Sequence, residues 1–420
     1  MAASSDSPED LLRALFAAAV DRALPERCLT AYLPEPPAGR TVVLGAGKAA
    51  ASMARALEAL WRGPLEGVVV TRRGHALPCR DIEVLEAGHP VPDEGSVVAA
   101  RRLLETVVGL GPEDLVICLL SGGGSALLSA LPPGVTLEEE QALTTALLRS
   151  GAPIGEINTV RREISLIRGG RLAAAASPAR VVTLAISDVP GDHPTAIASG
   201  PTVPSAGTAA DAVDVLRRHG IAPPPGIAAW LTRPASVEPA LPPFEADFRI
   251  IARARDALDA AATLAAEAGL EPIILGDDIE GEARLVAREH ADLARTHPGR
   301  LLLSGGETSV TVRQGGRGGR NSEYLLALGL ALADRTDVWA LAADTDGIDG
   351  SGDNAGAVWT PQTLERAAAL GLDPADFLAR NDAHGFFAAV GQLVVTGPTH
   401  TNVNDFRAIF LAPRVREPAP

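Results

Sequence analysis

Short apolar runs, each passing straight into a glycine-rich turn and then a helical pattern, recur along this chain and restrict its fold more than any other feature. Residues 115–120 lead directly into Ser121-Gly122-Gly123-Gly124-Ser125. Thr41-Val42-Val43-Leu44 leads into Gly45-Ala46-Gly47-Lys48 and an alanine-rich helix reaching about Trp61. Residues 301–303 lead into Ser304-Gly305-Gly306-Glu307-Thr308. The same pattern predicts strands at 68–71, 82–85, 181–186, 248–251, 272–275, 338–342 and 393–395. Helical spacing is expected at 11–24, from Asp93 as N-cap to Val107, at 137–148 and 158–175, up to Ala268 and Ala294, and across parts of 361–390. Strands alternating with helices indicate an α/β architecture, with helical layers around a mainly parallel sheet.

At 420 residues the chain exceeds one ordinary core. Prolines crowd residues 222–243, and the alternation restarts beyond them. That places a domain boundary near residue 240, giving domains 1–240 and 241–413. The formal charge of −15 disfavours nucleic acid and anionic membranes as partners, so an anionic substrate needs a local basic pocket. The three cysteines, Cys28, Cys79 and Cys118, are widely spaced and odd in number, which fits a reducing compartment. Residues 1–10 lack the basic and apolar regions of a signal peptide, and no apolar run approaches a membrane span. A cytoplasmic location is expected, and a homo-oligomer is left open.

Chemistry is concentrated at strand ends. Gly318-Gly319-Arg320-Asn321 opens an apolar helix and lies close behind the Ser304–Glu307 turn, where a helix N-terminus, glycines and a planar cation together suggest an anion site. Gly45-Ala46-Gly47-Lys48 is neither a P-loop nor a complete dinucleotide fingerprint, yet it sets Lys48 at a helix start, where a bound anion would offset the dipole. Ser121 to Ser125, with Gly122, Gly123 and Gly124 between, forms a nest of backbone donors suited to phosphate, or else a tight crossover. Its likeness to Ser304-Gly305-Gly306-Glu307-Thr308 is the one internal similarity. Asp188 ends a strand and suits a hydroxyl proton or Mg²⁺. Asp344, Asp346, Asp349 and Asp353 crowd one loop without the calcium-loop pattern, which points to a Mg²⁺-phosphate group for some of them. His89, His193, His384 and His400 are too dispersed for a zinc motif. Thr401, Asn402, Asn404 and Asp405 offer hydrogen bonds suited to a small polyhydroxy substrate, or an Asx-rich turn.

Jointly, these motifs resemble the glycerate 2-kinase family of the GckA/TtuD type, with its C-terminal MOFRL domain at about 300–410. The resemblance rests on Gly45 to Ala49, Gly88-His89-Pro90-Val91-Pro92-Asp93, Ser121 to Ala126, Asn158 to Arg161, Ser187-Asp188-Val189, Ser199-Gly200-Pro201-Thr202, Ser304 to Thr308, Gly318 to Asn321, Asp344-Thr345-Asp346-Gly347 and Gly397 to Asp405. It implies a Rossmann-like first domain, a mixed α/β MOFRL-type second domain and an active site in the cleft between them. It implies ATP-dependent phosphorylation of D-glycerate at the 2-hydroxyl, with Mg²⁺ and a nucleotide. By motif position, Lys48 and Arg320 are the basic residues associated with activity. Asp188 is then expected to orient the hydroxyl or the metal, with Asp344 and Asp346 as further metal candidates. Gly45, Gly47, His89, Ser121 to Ser125, Ser304, Gly305, Gly306, Glu307, Asn321, Thr401 and Asn402 are expected around substrate and phosphates. The rival reading is an NAD(P)H-dependent hydroxypyruvate reductase. The turn at Gly45 favours it, while the missing third glycine and the absence of an acid near Thr71-Arg72-Arg73 oppose it.

Overall fold

The computed structural model describes residues 7–205, 207–234, 241, 244 and 246–412. It separates into two compact units: Pro25–Ile251, and the described residues before Pro25 together with those from Ala252 onward.

The first unit is built on a six-stranded sheet of β1 (Thr41–Ala46), β2 (Glu66–Arg72), β3 (Ile82–Ala87), β4 (Leu115–Leu120), β5 (Arg180–Ile186) and β6 (Asp247–Ala252). Its order is β3-β2-β1-β4-β5-β6, and the strands are parallel. Strands β1 and β4 are buried at every position, as continuous apolar runs require when helices cover both faces. Alanines make that cover thin: Ala50, Ala51, Ala54 and Ala56 of the helix Ala50–Leu60 are all buried with Met53 and Leu57. Asp93 caps the helix Glu94–Thr106 through a reciprocal box with Ser96, as its position predicts. A second apolar cluster, including Leu143, Leu147, Ile157, Val160 and Val215, joins the helices Leu137–Arg149, Ile154–Glu163, Ala209–Arg218 and Pro225–Leu231.

Two expectations change here. The single helix at 158–175 is two helices, Ile154–Glu163 and Arg171–Ala176. Gly169 and Gly170 interrupt it at φ 62° and 88°, values outside any right-handed helix. The segment read as the first strand of the second domain is β6, the outer strand of the first sheet. The expected boundary after residue 240 falls where the structure describes only residues 241, 244 and 246 onward, and unit one continues through Ile251.

The other unit holds a mixed sheet of β7 (Glu271–Gly276), β9 (Arg300–Ser304), β11 (Val338–Asp344), β12 (Gly356–Trp359), β13 (Leu393–Val394) and β14 (Asp405–Leu411), ordered β13-β12-β11-β14-β9-β7. A two-residue pair, β8 (Gly281–Glu282) with β10 (Thr308–Ser309), stands apart from it. Strand β14 runs antiparallel to both β9 and β11, with Arg407 opposite Ser304 and Asp405 opposite Asp344. The ends of β9 and β11 and the start of β14 therefore share one sheet edge. The helix Arg320–Ala331 is buried continuously from Asn321 to Gly329, as its unbroken apolar run requires. The helix Pro8–Ala23 also belongs here. It packs against the helix Ala254–Glu267, and Phe16 meets Phe406 at 5.8 Å between ring centroids. No helix among the described residues is long and apolar enough to cross a membrane.

Candidate active site

In the first unit the chain order reverses between β1 and β4, the place where open parallel sheets form a crevice at their carboxyl ends. Gly45-Ala46-Gly47-Lys48 leaves β1 there, and Ser121 to Ser125 leaves β4. The two turns interlock: Lys48 N donates to Gly122 O (2.9 Å), Ala49 N to Ser121 Oγ (2.9 Å), and Ser121 N to Ala46 O (3.1 Å). A side chain at Gly47 would put Cβ 2.1 Å from Ser121 Oγ, and its φ is 143°. Only glycine fits. Gly123, at φ 80°, lies against two other candidates, since a Cβ there would stand 2.9 Å from His89 Nε2 and 3.4 Å from Lys48 Cγ. Lys48, His89 and the glycine turn thus meet at one spot. Among the described residues the amides of Gly122 and Gly123 find no protein acceptor, so they remain available to an oxyanion.

The far end of this turn is braced. Ser125 Oγ bonds Ser199 Oγ at 2.7 Å, and Ser199 Oγ donates to Asn158 Oδ1 at 3.1 Å. Ala198 and Ser199 hold left-handed conformations, at φ 51° and 59°. Such residues cost of order 1–3 kcal/mol each and persist where the surroundings over-determine them. Arg168, fully buried, donates to Ser125 O and Leu128 O (both 2.7 Å) and pairs with Glu140 at 3.2 Å. Asp188 is half-buried beyond the end of β5, the neighbour of β4.

In the other unit Arg320 is caged. Its Nε donates to Asp405 Oδ1, Nη1 to Glu307 Oε1 and Nη2 to Asp344 Oδ2, each at 2.8 Å. Burial alone would depress the guanidinium pKa. The three carboxylates, Asp405 foremost, outweigh it and hold the pKa well above its ordinary value. Asp405 is itself fully buried and pairs also with Arg407, while Asn321 Nδ2 donates to its Oδ1 (2.6 Å). Three of the five guanidinium donors are engaged, which leaves two for a ligand. A cavity of about 500 Å³ opens beside Arg320, lined by Thr308, Val312, Gly318, Gly319 and Ser351 among others. That is a ligand-sized recess.

The anion seat expected at this helix start is already filled. Asp349, wholly buried, accepts from Asn321 N (2.9 Å), Ser322 N (2.8 Å) and the Ser322 hydroxyl. The Ser304–Glu307 turn also faces inward: Gly305 N donates to Gly276 O, Gly305 O receives Arg407 Nη1, and Gly306 O receives Asp405 N. Only Glu307 of this turn is exposed. Thr401 donates its hydroxyl to Ala23 O (2.6 Å) and is buried, so it braces the helix Pro8–Ala23 where a substrate contact was expected. Asn402 Oδ1 receives Asn404 N (3.3 Å), and Asn321 is buried inside the carboxylate cage. Asp344 directs its second oxygen to Asp346 N (3.0 Å), and Asp346 Oδ1 receives Ile348 N (2.8 Å). Among the described residues no three His, Cys, Asp or Glu side chains are grouped to hold a metal ion.

Residues 11–232 match the family model described as a domain of unknown function (DUF4147), and residues 300–405 match the MOFRL family. A glycerate kinase from Thermotoga maritima, solved as a crystal structure, superimposes with a TM-score of 0.86 at 38% identity, covering 96% of this chain and 99% of that one. The chain belongs to the glycerate 2-kinase family. A D-glycerate 2-kinase from the same organism is 40% identical over 92% of this chain and 94% of its own length. An Agrobacterium vitis protein with a provisional hydroxypyruvate reductase name is 49% identical over 96% of this chain and 95% of its own. Family membership accounts for both the parallel and the mixed sheet. The individual residues that matter most were not all visible beforehand. Asp405, held by Arg407, completes the Arg320 cage, Asp349 caps the helix that carries it, and Ser199, Asn158 and Arg168 complete the brace at Ser125. Asp349 stood out as one of the acids crowding its loop and Asp405 as one of a run of hydrogen-bonding residues, though for other roles, while Asn158 and Ser199 were marked only by the motifs that carried the family resemblance. Cys79 and Cys118 are poor nucleophiles: burial pushes the Cys79 thiol up to about 11 and Cys118 to about 12, far from the thiolate a nucleophile needs.

Proposed function

We propose that this protein transfers the γ-phosphoryl group of ATP to the 2-hydroxyl of D-glycerate, giving 2-phosphoglycerate and ADP. One observation carries this reading: at the chain-order reversal of the parallel sheet, Lys48 Cγ and His89 Nε2 both lie against Gly123, in a turn whose Gly122 and Gly123 amides have no protein acceptor among the described residues. Phosphoryl transfer asks for positioning and charge neutralisation more than for covalent chemistry, and these groups offer both. Lys48 and the amides are assigned to phosphoryl oxygens. Arg320, oriented by three carboxylates and retaining two N–H donors, is assigned to the charge that develops during transfer. Asp188 is assigned to the acceptor hydroxyl or to Mg²⁺. Magnesium keeps several waters and needs only one or two carboxylates beside the phosphates, so a half-buried aspartate at a strand end suits it and a three-carboxylate cage is unnecessary. When bound, the ion supplies neutralisation of the triphosphate. Asp344 and Asp346 are weaker candidates for it, because Asp344 has both oxygens engaged and Asp346 caps its own loop.

The reductase reading has two supports: the strand order β3-β2-β1-β4-β5-β6, which is that of dinucleotide-binding sheets, and the names of some relatives. The site geometry weighs against it. A dinucleotide pyrophosphate lies on the turn after β1, where Ser121 already receives Ala49 N and contacts Gly47. The end of β2 offers Thr71-Arg72-Arg73, with Arg73 paired to Asp93, and no acid for a ribose hydroxyl. Phosphorus NMR of a mixture with ATP, Mg²⁺ and D-glycerate tests the proposal. The 2-phosphate resonance with stoichiometric ADP is expected. Oxidation of NAD(P)H by hydroxypyruvate without ADP formation would reverse it in favour of the reductase.

A further inference from the structure

We propose that Arg161 binds the carboxylate of the small hydroxy-acid acceptor, on the helix face it shares with Asn158, which is hydrogen-bonded through Ser199 to Ser125. The proposal rests on the kinase reading above and names the group that holds the acceptor within it.

Arg161 and Asn158 stand one turn apart on the helix Ile154–Glu163 and therefore share a face. Asn158 is bonded to Ser199, and Ser199 to Ser125, the last residue of the glycine turn. Arg168 ties the same parts together, donating to Arg161 O at 3.0 Å and to Ser125 O at 2.7 Å. Within this network the Arg161 guanidinium is the exception. It makes no hydrogen bond or ion pair among the described residues. The acid that attracts it, Glu140, is held by Arg168 at 3.2 Å and by the Ser129 hydroxyl.

The electrostatics sharpen the point. Burial first, and the neighbouring Arg168 cation second, pull the Arg161 pKa down to about 10. Yet the side chain keeps partial contact with solvent, so it is a cation crowded by protein but still reachable by a ligand. The fully buried arginines are paired, Arg168 with Glu140 and Arg407 with Asp405, and half-buried Arg320 is paired with three carboxylates. Adjacent Arg162 reaches Thr195 O and Thr159 Oγ1. An unpaired, largely desolvated cation costs several kcal/mol, and a ligand anion offsets that cost. The guanidinium fork matches a planar carboxylate. At the Gly123 end of the same turn, Lys48 and two free amides serve the rounder phosphoryl groups. The division of labour follows: carboxylate at the Ser125 end, phosphate at the Gly123 end.

Arg161→Gln and Arg161→Lys test this in the full-length protein. Without ligand, Arg161→Gln is expected to melt at the same temperature as wild type or higher, because it removes an unpaired buried charge. D-glycerate added without nucleotide is expected to raise the melting temperature of wild type but not of Arg161→Gln. The KM for D-glycerate rises roughly 10- to 100-fold, the value of one charge-assisted bond pair, while the KM for ATP moves by less than about two-fold. Arg161→Lys recovers part of the loss. A lower melting temperature with unchanged KM would make Arg161 structural and overturn the assignment. A rise in the KM for ATP instead would transfer Arg161 to the nucleotide, and failure of D-glycerate to stabilise wild type would also end the proposal. Wild type stabilised by D-glycerate through Arg161 but releasing no ADP would leave the Arg161 carboxylate site standing and remove the kinase reading.

Discussion

Lys48 and Arg320 are both cations beside glycine turns, but the fold treats them differently. Lys48 lies against the Gly123 backbone in a turn with unsatisfied amides, whereas Arg320 is anchored by Asp344, Asp405 and Glu307. Their substitutions should therefore separate. Lys48→Ala is expected to lower kcat by about 10²–10³-fold, the usual effect of losing one preorganised charge contact, and to shift the urea midpoint less than Arg320→Ala does. Arg320→Ala is expected to lower activity and also to destabilise, because it strands buried carboxylate oxygens. Breaking such a pair costs about 3–5 kcal/mol, and the lower end applies because Asp405 keeps Arg407. Urea titration beside an ADP-release assay distinguishes the two. Both cations were legible in the sequence because a charged residue next to glycines is a local signal. The partners of Arg320 were not, since Asp405 lies 85 residues away and reaches it only through the antiparallel pairing of β14.

The two Ser-Gly-Gly turns show how far element-level reading goes. Their sequences predicted similar anion cradles. The turn after β4 keeps free amides, while the turn after β9 is folded around Asp405 and Arg407. Local sequence fixes the turn type; the neighbouring strand decides what the turn's donors meet. Strand β4 coincides with its apolar run, and the Asp93 cap was visible, because both depend on nearest neighbours. The broken helix at 158–175 was misread because apolar spacing was followed across Gly169-Gly170, whose backbone preference overrides it. Asp349 gives an element-scale prediction. Burial raises its pKa above the ordinary aspartate value of 3.8, with the Asp405 charge adding to it. The folded state thus binds the proton more tightly than the unfolded chain, and stability must fall as pH rises from about that value through the raised one. Asp349→Asn should flatten this fall. Denaturant midpoints measured across the acidic range would show it, and a slope identical to wild type would contradict it.

The division of the molecule into Pro25–Ile251 and the remainder means that the helix Pro8–Ala23 is completed by strands and helices more than two hundred residues later in the chain. Leu12, Leu15, Phe16 and Ala19 are buried by that partnership, and Thr401 closes it with its bond to Ala23 O. Removing residues 1–24 should therefore destabilise the MOFRL-bearing unit by about 5 kcal/mol or more, at roughly 1.5–3 kcal/mol per large side chain exposed. The Pro25–Ile251 unit should keep its own transition. Calorimetry of the truncated protein would then resolve two melting events, the first shifted well below its position in the intact chain. The same connectivity governs how the protein is made. At a ribosomal pace of about 5–20 residues per second, the first helix emerges roughly 20 to 80 seconds before its last partner strand. Until the helix Ala254–Glu267 follows, its apolar stripe has no native partner to dock on, while the parallel-sheet unit behind it is being completed. Nascent chains therefore expose that apolar face until the helix Ala254–Glu267 is made, a natural handle for ribosome-associated chaperones.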